Sequence, residues 1–172
     1  ANGALVQTIK AHTDAVHHVC VTRYGTKVFS ASADYTACCS DAATGTELMR
    51  LPHDGMVNRG RRTPDEKRVV TATNAEIRVG DEASGAEVAT LKPHSEQIVD
   101  IHVVDGQHVV SMHPTVIFTS ELFPEQTFRR WRDHRTAQVH DMCLSSDGER
   151  VVTAHQNTAV SYPLSMLLQS RL

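Results

Sequence analysis

The chain has 172 residues, of which 40% are hydrophobic and 22% charged, and its formal net charge is −3. This is the composition of a folded domain, and its slightly acidic balance argues against a general nucleic-acid or acidic-membrane surface. No run reaches the roughly eighteen apolar residues of a membrane span. Four cysteines lack the spacing of a metal site and the density of a disulfide scaffold. We therefore expect a cytoplasmic or other intracellular location and no contact with membrane.

The predicted elements are short strands bounded by turn residues. A possible outer strand at residues 5–9 comes first, and residues 16–21 then lead through Arg23-Tyr24-Gly25 into a second strand at residues 27–32. A third strand follows in each unit, clearest at residues 76–79. Fourth strands are predicted at 47–51, 87–91 and 127–131. Residues 139–144 and 150–154 form another hairpin, and the end of the chain, residues 166–172, has the pattern of one more outer strand.

Two landmarks recur with one period along the chain. Histidines at positions 12, 53, 94 and 134 are separated by 41, 41 and 40 residues, and similar strand segments begin at residues 28, 69, 109 and 151. Four strands per roughly forty residues are typical of one blade of a β-propeller. The sequence thus predicts an all-β propeller or partial propeller of about four four-stranded antiparallel blades, with repeats at 12–52, 53–93, 94–133 and 134–172.

These repeats resemble the WD-repeat β-propellers over almost the whole chain. The first repeat matches through His12, Ser30, Asp34 and the turn Asp41-Ala42-Ala43-Thr44-Gly45, and the others match more loosely. The resemblance implies a hydrogen-bond network inside each blade, made by a histidine, a serine or threonine, an aspartate and a tryptophan. Its expected members here are His12, Ser30, Asp34, His53, Thr71, His94, Ser111, His134 and Thr153.

The family's Trp-Asp dipeptide is missing from every repeat. Ser40 and Gly80 stand in the tryptophan position of the first two repeats, and the last two have no recognisable dipeptide. We expect softer blades or compensating contacts, because an incomplete buried polar network is costly. Trp131 does not fill the gap, since it aligns with Leu91 in the fourth strand as a packing residue.

The number of blades leaves three arrangements open. The chain is too short for a seven-bladed ring of this period, which needs about 290 residues. It would then form a compact four-bladed ring, an open arc of a longer propeller, or half of a ring closed by a second chain. Exposed strand edges are normally covered or paired, so we favour an arc completed by further blades of a longer chain or by a second copy.

Catalytic, metal and cofactor sites are not predicted. The histidines near Cys20 and in the third repeat lack metal-ligand spacing, and neither a nucleophile elbow nor a phosphate-binding glycine loop occurs. Cys38 and Cys39 are interpreted as small packing residues in a strand, although a redox role is an alternative.

Two arginine clusters are the candidate binding features. Arg59, Arg61 and Arg62 occupy a strand that should line the propeller centre, where they either bind an anion or acidic partner or mark a distorted strand. Arg129 and Arg130 flank Trp131, which suits either a stacking surface for single-stranded nucleic acid or an amphipathic edge strand.

The sequence as a whole favours a non-catalytic scaffold that binds other proteins in a multi-subunit complex. Aromatic contact residues are predicted at Tyr24, Tyr35, Phe123 and Trp131. The alternative is an RNA-associated subunit of a ribonucleoprotein complex, which would use the arginine clusters.

Overall fold

The computed structural model describes residues 5–92, 97–114, 116–122, 128–131, 139–145, 147–155 and 158–168. Within these ranges the chain is all-β, with strands in four antiparallel sheets and one short helix. The predicted fold class is confirmed. Each sheet lies inside one of the four predicted repeats, whereas the repeat boundaries themselves stay a prediction.

In each sheet the strands follow one another in chain order, so every connection is a hairpin turn. The first sheet contains β1 Val16–Val21, β2 Lys27–Ser32, β3 Thr36–Asp41 and β4 Glu47–Pro52. The second contains β5 Arg59–Arg62, β6 Arg68–Ala72, β7 Ile77–Asp81 and β8 Glu87–Leu91. The third contains β9 Asp100–Val103, β10 His108–Met112, β11 Ile117–Glu121 and β12 Phe128–Trp131. The fourth contains β13 Val139–Leu144, β14 Arg150–His155 and β15 Ala159–Pro163.

The sheets stack face to face around their first strands. β1 contacts β5, β5 contacts β9, and β9 contacts β13. No equivalent contact joins the described parts of β13 and β1, so the stack forms an arc that is open between its first and fourth sheets. This is the arrangement of a partial propeller.

Three hydrophobic cores fill the spaces between successive sheets, and strand alternation explains them. In β6, Val69 belongs to the first core and Val70 to the second, because neighbouring side chains of a strand point to opposite faces. In β10, Val109 and Val110 divide in the same way between the second and third cores. A second strand buried on both faces therefore carries two adjacent valines, one for each core, in both β6 and β10.

Neither predicted terminal strand is found in the described residues, which leave out 169–172 at the end of the second. Residues 5–9 form no strand, and Leu5 and Val6 are 82% and 91% exposed. As an outer strand they would need a sheet preceding the first one, and the described chain supplies none.

The end of the described chain forms a helix, α1 Leu164–Leu168, where the sequence pattern predicted a strand. Leu164 and Leu167 are buried in the third core, and the Thr119 hydroxyl donates to the Leu167 carbonyl at 3.0 Å. Burial of two leucines against the third sheet thus overrides pairing with β15. No helix among the described residues is long and apolar enough to cross a membrane.

The closest approach between the first two sheets depends on Gly60. A Cβ atom there would overlap the fully buried ring of Phe29. We expect Gly60→Ala to lower the free energy of unfolding by about 1–3 kcal/mol, because an overpacked core must shift. Gly55→Ala is the matched control, since a Cβ at Gly55 meets nothing within 4 Å. Urea denaturation of both variants measures the difference, and equal stabilities would show that the sheets do not pack this closely.

Candidate functional site

The first sheet contains a buried network of three hydrogen-bonded side chains at its outward face. His12 Nδ1 lies 2.9 Å from Asp34 Oδ2, and His12 Nε2 lies 2.8 Å from the Ser30 hydroxyl. The Thr36 hydroxyl and the Thr13 N–H also donate to Asp34, at 2.6 and 3.0 Å. Burial opposes ionisation of Asp34, but these donors and His12 together hold its pKa far below the ordinary value. The network locks the segment before β1 onto the β2–β3 turn.

The second sheet has the same histidine and hydroxyl but no aspartate. His53 Nε2 lies 2.7 Å from the Thr71 hydroxyl, and its Nδ1 lies 3.1 Å from the Leu51 carbonyl. A carbonyl only accepts, so Nδ1 carries the proton and Nε2 accepts from Thr71. Burial, aided by the charge of Arg78, lowers the pKa of His53 to about 4. Counted between paired strand residues, the β6–β7 turn is one residue shorter than the β2–β3 turn, and its Asn74 is exposed and bonds Asn58.

The third and fourth sheets use a histidine that the sequence reasoning missed. His113 Nε2 lies 3.3 Å from the Ser111 hydroxyl, and His155 Nε2 lies 2.9 Å from the Thr153 hydroxyl. Both histidines are buried, and each lies two residues after the serine or threonine in the sequence. His155 is the last residue of β14, and His113 directly follows β10. The sequence signal for these histidines is a hydroxyl residue followed two positions later by histidine, as in Ser111-Met112-His113 and Thr153-Ala154-His155. The predicted His94 and His134 lie outside the described residues.

One arginine in each of the first two sheets bonds the backbone carbonyl that precedes the histidine of its repeat. In the first, Arg50 donates to the Thr36 hydroxyl at 2.9 Å and to the Ala11 carbonyl at 2.6 Å. In the second, Arg78 donates to the Pro52 carbonyl at 2.9 Å. Ala11 and Pro52 each precede the histidine of their repeat, so one guanidinium in each sheet fixes the same turn. Arg50 comes from the fourth strand and Arg78 from the third.

The tryptophan positions themselves are filled differently. A Cβ at Gly80 would lie 3.0 Å from Leu51 Cδ2, so the leucine of the first sheet takes the space of a larger side chain. Ser40 is buried, and its hydroxyl has no hydrogen-bond partner among the described residues.

The arginines of β5 connect neighbouring sheets. Arg59 lies 3.1 Å and Arg61 3.7 Å from Asp100 of the third sheet, and Arg61 also contacts His18 of the first. Burial and these arginines lower the pKa of His18 to about 4, so at neutral pH its uncharged ring accepts a hydrogen bond from Arg61. Burial opposes the ionisation of Asp100, but its partners, among them His102 and Arg61, lower its pKa.

Arg62 is the third member of this cluster, and it is largely buried. Its guanidinium contacts Glu82 and lies 3.4 Å from Glu66, while Lys27 of the first sheet reaches Glu82 at 2.8 Å. The described contacts differ from both interpretations of this strand, because β5 pairs regularly with β6 and its arginines meet carboxylates of the same chain.

The second arginine cluster is described only in part. Arg130 is exposed on β12. For Arg129 and Trp131 the structure describes the backbone only. Trp131 pairs with Ile117 in the third sheet, and Leu91 pairs with Ile77 at the equivalent position of the second sheet. Phe123 lies outside the described residues.

Tyr24 and Tyr35 lie at opposite ends of β2, so they do not form one surface. Tyr24 is in the β1–β2 turn, at what we name the lower end of the sheets. Tyr35 is in the β2–β3 turn, at the upper end, with a φ of 67° and 51% of its surface exposed. Both tyrosines are accessible.

Three exposed apolar side chains gather at the upper end, namely Val16, Tyr35 and Met56. Val16 pairs with Ser32, the N–H of His53 donates to the Tyr35 carbonyl at 2.8 Å, and the N–H of Val57 donates to Ser32. The backbone therefore ties all three to the end of β2. We call them the upper-end group. Sequence reasoning found only Tyr35, because the grouping depends on the contact between two sheets.

Reactive groups of the described residues are not arranged for nucleophilic or metal chemistry. Burial raises the pKa of the Cys38 thiol to about 11 and also raises that of Cys39, which keeps both thiols protonated. No group of three or more His, Cys, Asp or Glu side chains in this part of the chain could hold a metal ion. The recurring histidines are engaged by hydroxyl groups of the second strands.

Substitution of Arg50 and of Arg78 should give unequal losses of stability. Arg78 is 13% exposed and bonds Asp54 and Glu76 at 2.6 and 2.8 Å, whereas Arg50 is 38% exposed. We expect Arg78→Met to lower the free energy of unfolding by about 2–4 kcal/mol, because it leaves the buried Glu76 carboxylate with only the more distant Lys92, at 3.9 Å. Arg50→Met should cost about 1 kcal/mol or less. Chemical denaturation of both tests the order, and a larger loss for Arg50→Met would contradict the roles given to them.

The low pKa of His53 predicts a pH dependence of stability. In the unfolded chain this histidine takes up a proton near pH 6.5, and in the folded chain only near pH 4. Between these values the unfolded state binds more protons, so stability is lost as the pH falls from 6.5 towards 4. His53→Gln should reduce the slope by about 1 kcal/mol per pH unit. Denaturation midpoints at pH 6.0, 5.5 and 5.0 measure it, and an unchanged slope would contradict the buried neutral imidazole.

Comparison with known proteins agrees with this geometry. Residues 3–41 match the family model described as WD domain, G-beta repeat. The chain superimposes on the computationally designed Ika4 protein with a TM-score of 0.74 and 20% identity, over 94% of this chain and 98% of that one. It superimposes on a chain of the Mitotic Checkpoint Complex with a TM-score of 0.76 and 18% identity, over 90% of this chain and 50% of that one. No curated protein matches the sequence significantly.

Proposed function

We propose that this chain is a non-catalytic scaffold that binds other proteins through the upper end of its sheets. The stacked antiparallel sheets and the match of residues 3–41 to a WD-repeat family model support this proposal. The observation that carries the proposal is the upper-end group of exposed apolar side chains. Its partners would be other proteins of a multi-subunit complex. The lower-end Tyr24 is a separate surface.

Backbone strain at Tyr35 supports a role in contact. A non-glycine residue at positive φ costs about 1 kcal/mol or more, and glycine is the residue that avoids this cost. The strained turn holds an aromatic ring in water, where it contributes nothing to the core. Strain at an exposed side chain is a reason to look for a binding role, and a rigid aromatic residue is well suited to anchor an interface.

The absence of catalysis is part of the same proposal. In each of the four described sheets one second-strand hydroxyl is hydrogen-bonded to a histidine, namely His12, His53, His113 or His155. Such histidines position sheets and do not face a substrate. The buried thiols of Cys38 and Cys39 are equally withdrawn from solvent.

The RNA-associated alternative has less support. Arg59, Arg61 and Arg62 meet carboxylates of this chain, which leaves less of their charge for phosphates. Arg130 is exposed, but the other members of its cluster have no described side-chain position. We therefore propose protein partners.

Tyr35→Gly tests separately the two effects proposed for this residue, which are backbone strain and contact with a partner protein. We expect the variant to be more stable by about 1 kcal/mol, because glycine adopts positive φ without strain. We also expect it to lose bound proteins when tagged full-length chain is used to recover partners from cell extract, with mass spectrometry as the readout. Combination of Tyr35→Gly with Met56→Asp should remove any bound proteins that the single variant retains.

Tyr24→Ser is the matched control, because it removes an exposed tyrosine at the lower end. It should keep the same bound proteins as the unmodified chain. Proteins that remain bound to the Tyr35→Gly, Met56→Asp variant as strongly as to the control would contradict a binding surface at the upper end. Binding of single-stranded RNA by the unmodified chain at low salt would instead favour the RNA-associated alternative.

A further inference from the structure

Two arginines of β5, Arg59 and Arg61, share one carboxylate at the inner edge of the stacked sheets, and we call them the arginine pair. Arg59 Nε donates to Asp100 Oδ1 at 3.1 Å, and the Arg61 guanidinium lies 3.7 Å from the same oxygen. The two residues are two positions apart in one strand, so both side chains point to the side of the third sheet. Arg61 also contacts His18 of the first sheet. It reaches both neighbouring sheets only across the inner edge of β5, where the first strands meet.

The arginine pair keeps most of its hydrogen-bonding capacity. A guanidinium group has five N–H donors. In the described contacts Arg59 uses one for Asp100 and one for the Asn58 carbonyl at 2.9 Å, and Arg61 uses one for His18. The two side chains are 33% and 28% exposed, and in the described part of the chain no unpaired nitrogen of the pair is fully buried. The remaining donors therefore face solvent.

Arg62 of the same strand shows the contrast with an arginine whose charge is matched. Its side chain is 9% exposed and meets two carboxylates, those of Glu82 and Glu66. The arginine pair meets only the Asp100 carboxylate among the described residues. Asp141 has the equivalent position in the fourth sheet, but its exposed carboxylate forms no described ion pair with the arginine pair. Two guanidinium groups beside one carboxylate leave one unit of positive charge in excess.

An excess of one charge favours an anion that carries a single negative charge. A carboxylate brings one charge and makes the group neutral as a whole. A phosphate monoester brings about −1.5 to −2 at pH 7, which would leave a net negative charge beside Asp100. The Asp100 side chain is 9% exposed, so salt screens this repulsion only weakly. Guanidinium groups also bond both oxygens of a carboxylate through parallel N–H donors.

Amide side chains border the arginine pair at the upper end of the sheets. Asn58 directly precedes Arg59, and its amide donates to Asn74 Oδ1 at 2.6 Å. The Gln97 amide lies 3.4 Å from the same oxygen, and Asn74 and Gln97 are exposed. Amides donate to and accept from the peptide groups of another chain, and they add no charge to the site. This border suits a carboxylate that is carried by a polypeptide.

We propose that the arginine pair binds the carboxylate of an acidic side chain of a partner protein, and that Asp100 limits the site to one negative charge. Asp100 holds the two guanidinium groups side by side, and its own charge excludes a doubly charged phosphate. This inference rests on the proposed function, because it specifies the chemistry of a protein partner. It does not depend on the upper-end group.

Acetate and methyl phosphate are probes for the two kinds of anion. At pH 7.5 sodium acetate should shift the Nε–Hε NMR signals of Arg59 and Arg61 more than sodium chloride of equal ionic strength does, and methyl phosphate should bind more weakly than acetate. Arg61→Gln should weaken acetate binding by about tenfold, because a charge-assisted hydrogen bond is lost. Arg59 keeps its bond to Asp100 in this variant, so the fold should persist, as checked by circular dichroism.

Arg23→Gln is the matched control, because it removes an exposed arginine from the β1–β2 turn at the lower end. It should leave acetate binding unchanged. The absence of acetate-dependent shifts in the unmodified chain, or tighter binding of methyl phosphate than of acetate, overturns the proposal.

Asp100→Asn tests the charge count itself. Asparagine keeps an oxygen for the Ile101 N–H, which Asp100 Oδ1 accepts at 2.9 Å, but it removes the negative charge. The variant should bind acetate about fivefold more tightly, because a like charge has left the site, and it should bind methyl phosphate at least as tightly as acetate. A carboxylate that only joined two sheets would give lower stability and no gain in affinity. Unchanged or weaker acetate binding by this variant overturns the proposal.

Recovery of bound proteins from cell extract separates this inference from the proposed function. Arg61→Gln should lose at least one protein that Arg23→Gln keeps. Loss of proteins from the Tyr35→Gly, Met56→Asp variant but from none of the Arg61→Gln preparations overturns this inference and leaves the proposed function standing.

Discussion

Burial of the second strands between neighbouring sheets is the interaction on which this structure depends. β6 and β10 each send alternate residues into two different cores, so they are enclosed on both faces. Each fully buried valine or leucine contributes roughly 1.5–3 kcal/mol. No sheet could hold such a strand alone. The sheets are therefore stable only when stacked. Packing between neighbouring sheets determines which positions of each repeat must be apolar.

This packing creates a second constraint, which concerns one hydroxyl per sheet. A serine or threonine of the second strand is buried in every sheet, on the outward face in the first sheet and towards the preceding sheet in the others, and it needs a polar partner there. The first two sheets supply a histidine from the loop before the first strand, His12 and His53. In the last two sheets, His113 and His155 from the second strand or just after it make this contact. A histidine bonds the hydroxyl in all four sheets, but this histidine precedes the first strand in two sheets and comes from the end of the second strand in the other two.

What the sequence predicted follows from local rules. Strand alternation, turn residues and one recurring period sufficed for the all-β class and for strands within four repeats. The helix at Leu164–Leu168 and the unpaired residues 5–9 were mispredicted, because their state depends on what lies beside them. Arg50 and Arg78 were missed for the same reason, since they come from different strands and meet at equivalent turns only after folding. The β5 arginines gave two interpretations until Asp100 and Glu82 from other elements were placed beside them.

Amide hydrogen exchange, followed by mass spectrometry of peptides, tests the stacking of sheets most directly. Strands enclosed on both faces open only when the whole stack opens, and turns exchange without that event. The account predicts the slowest exchange in residues 69–72 and 109–112 and fast exchange in the turn at 23–26. Exchange in residues 69–72 and 109–112 as fast as in that turn would show that these strands are not enclosed between sheets.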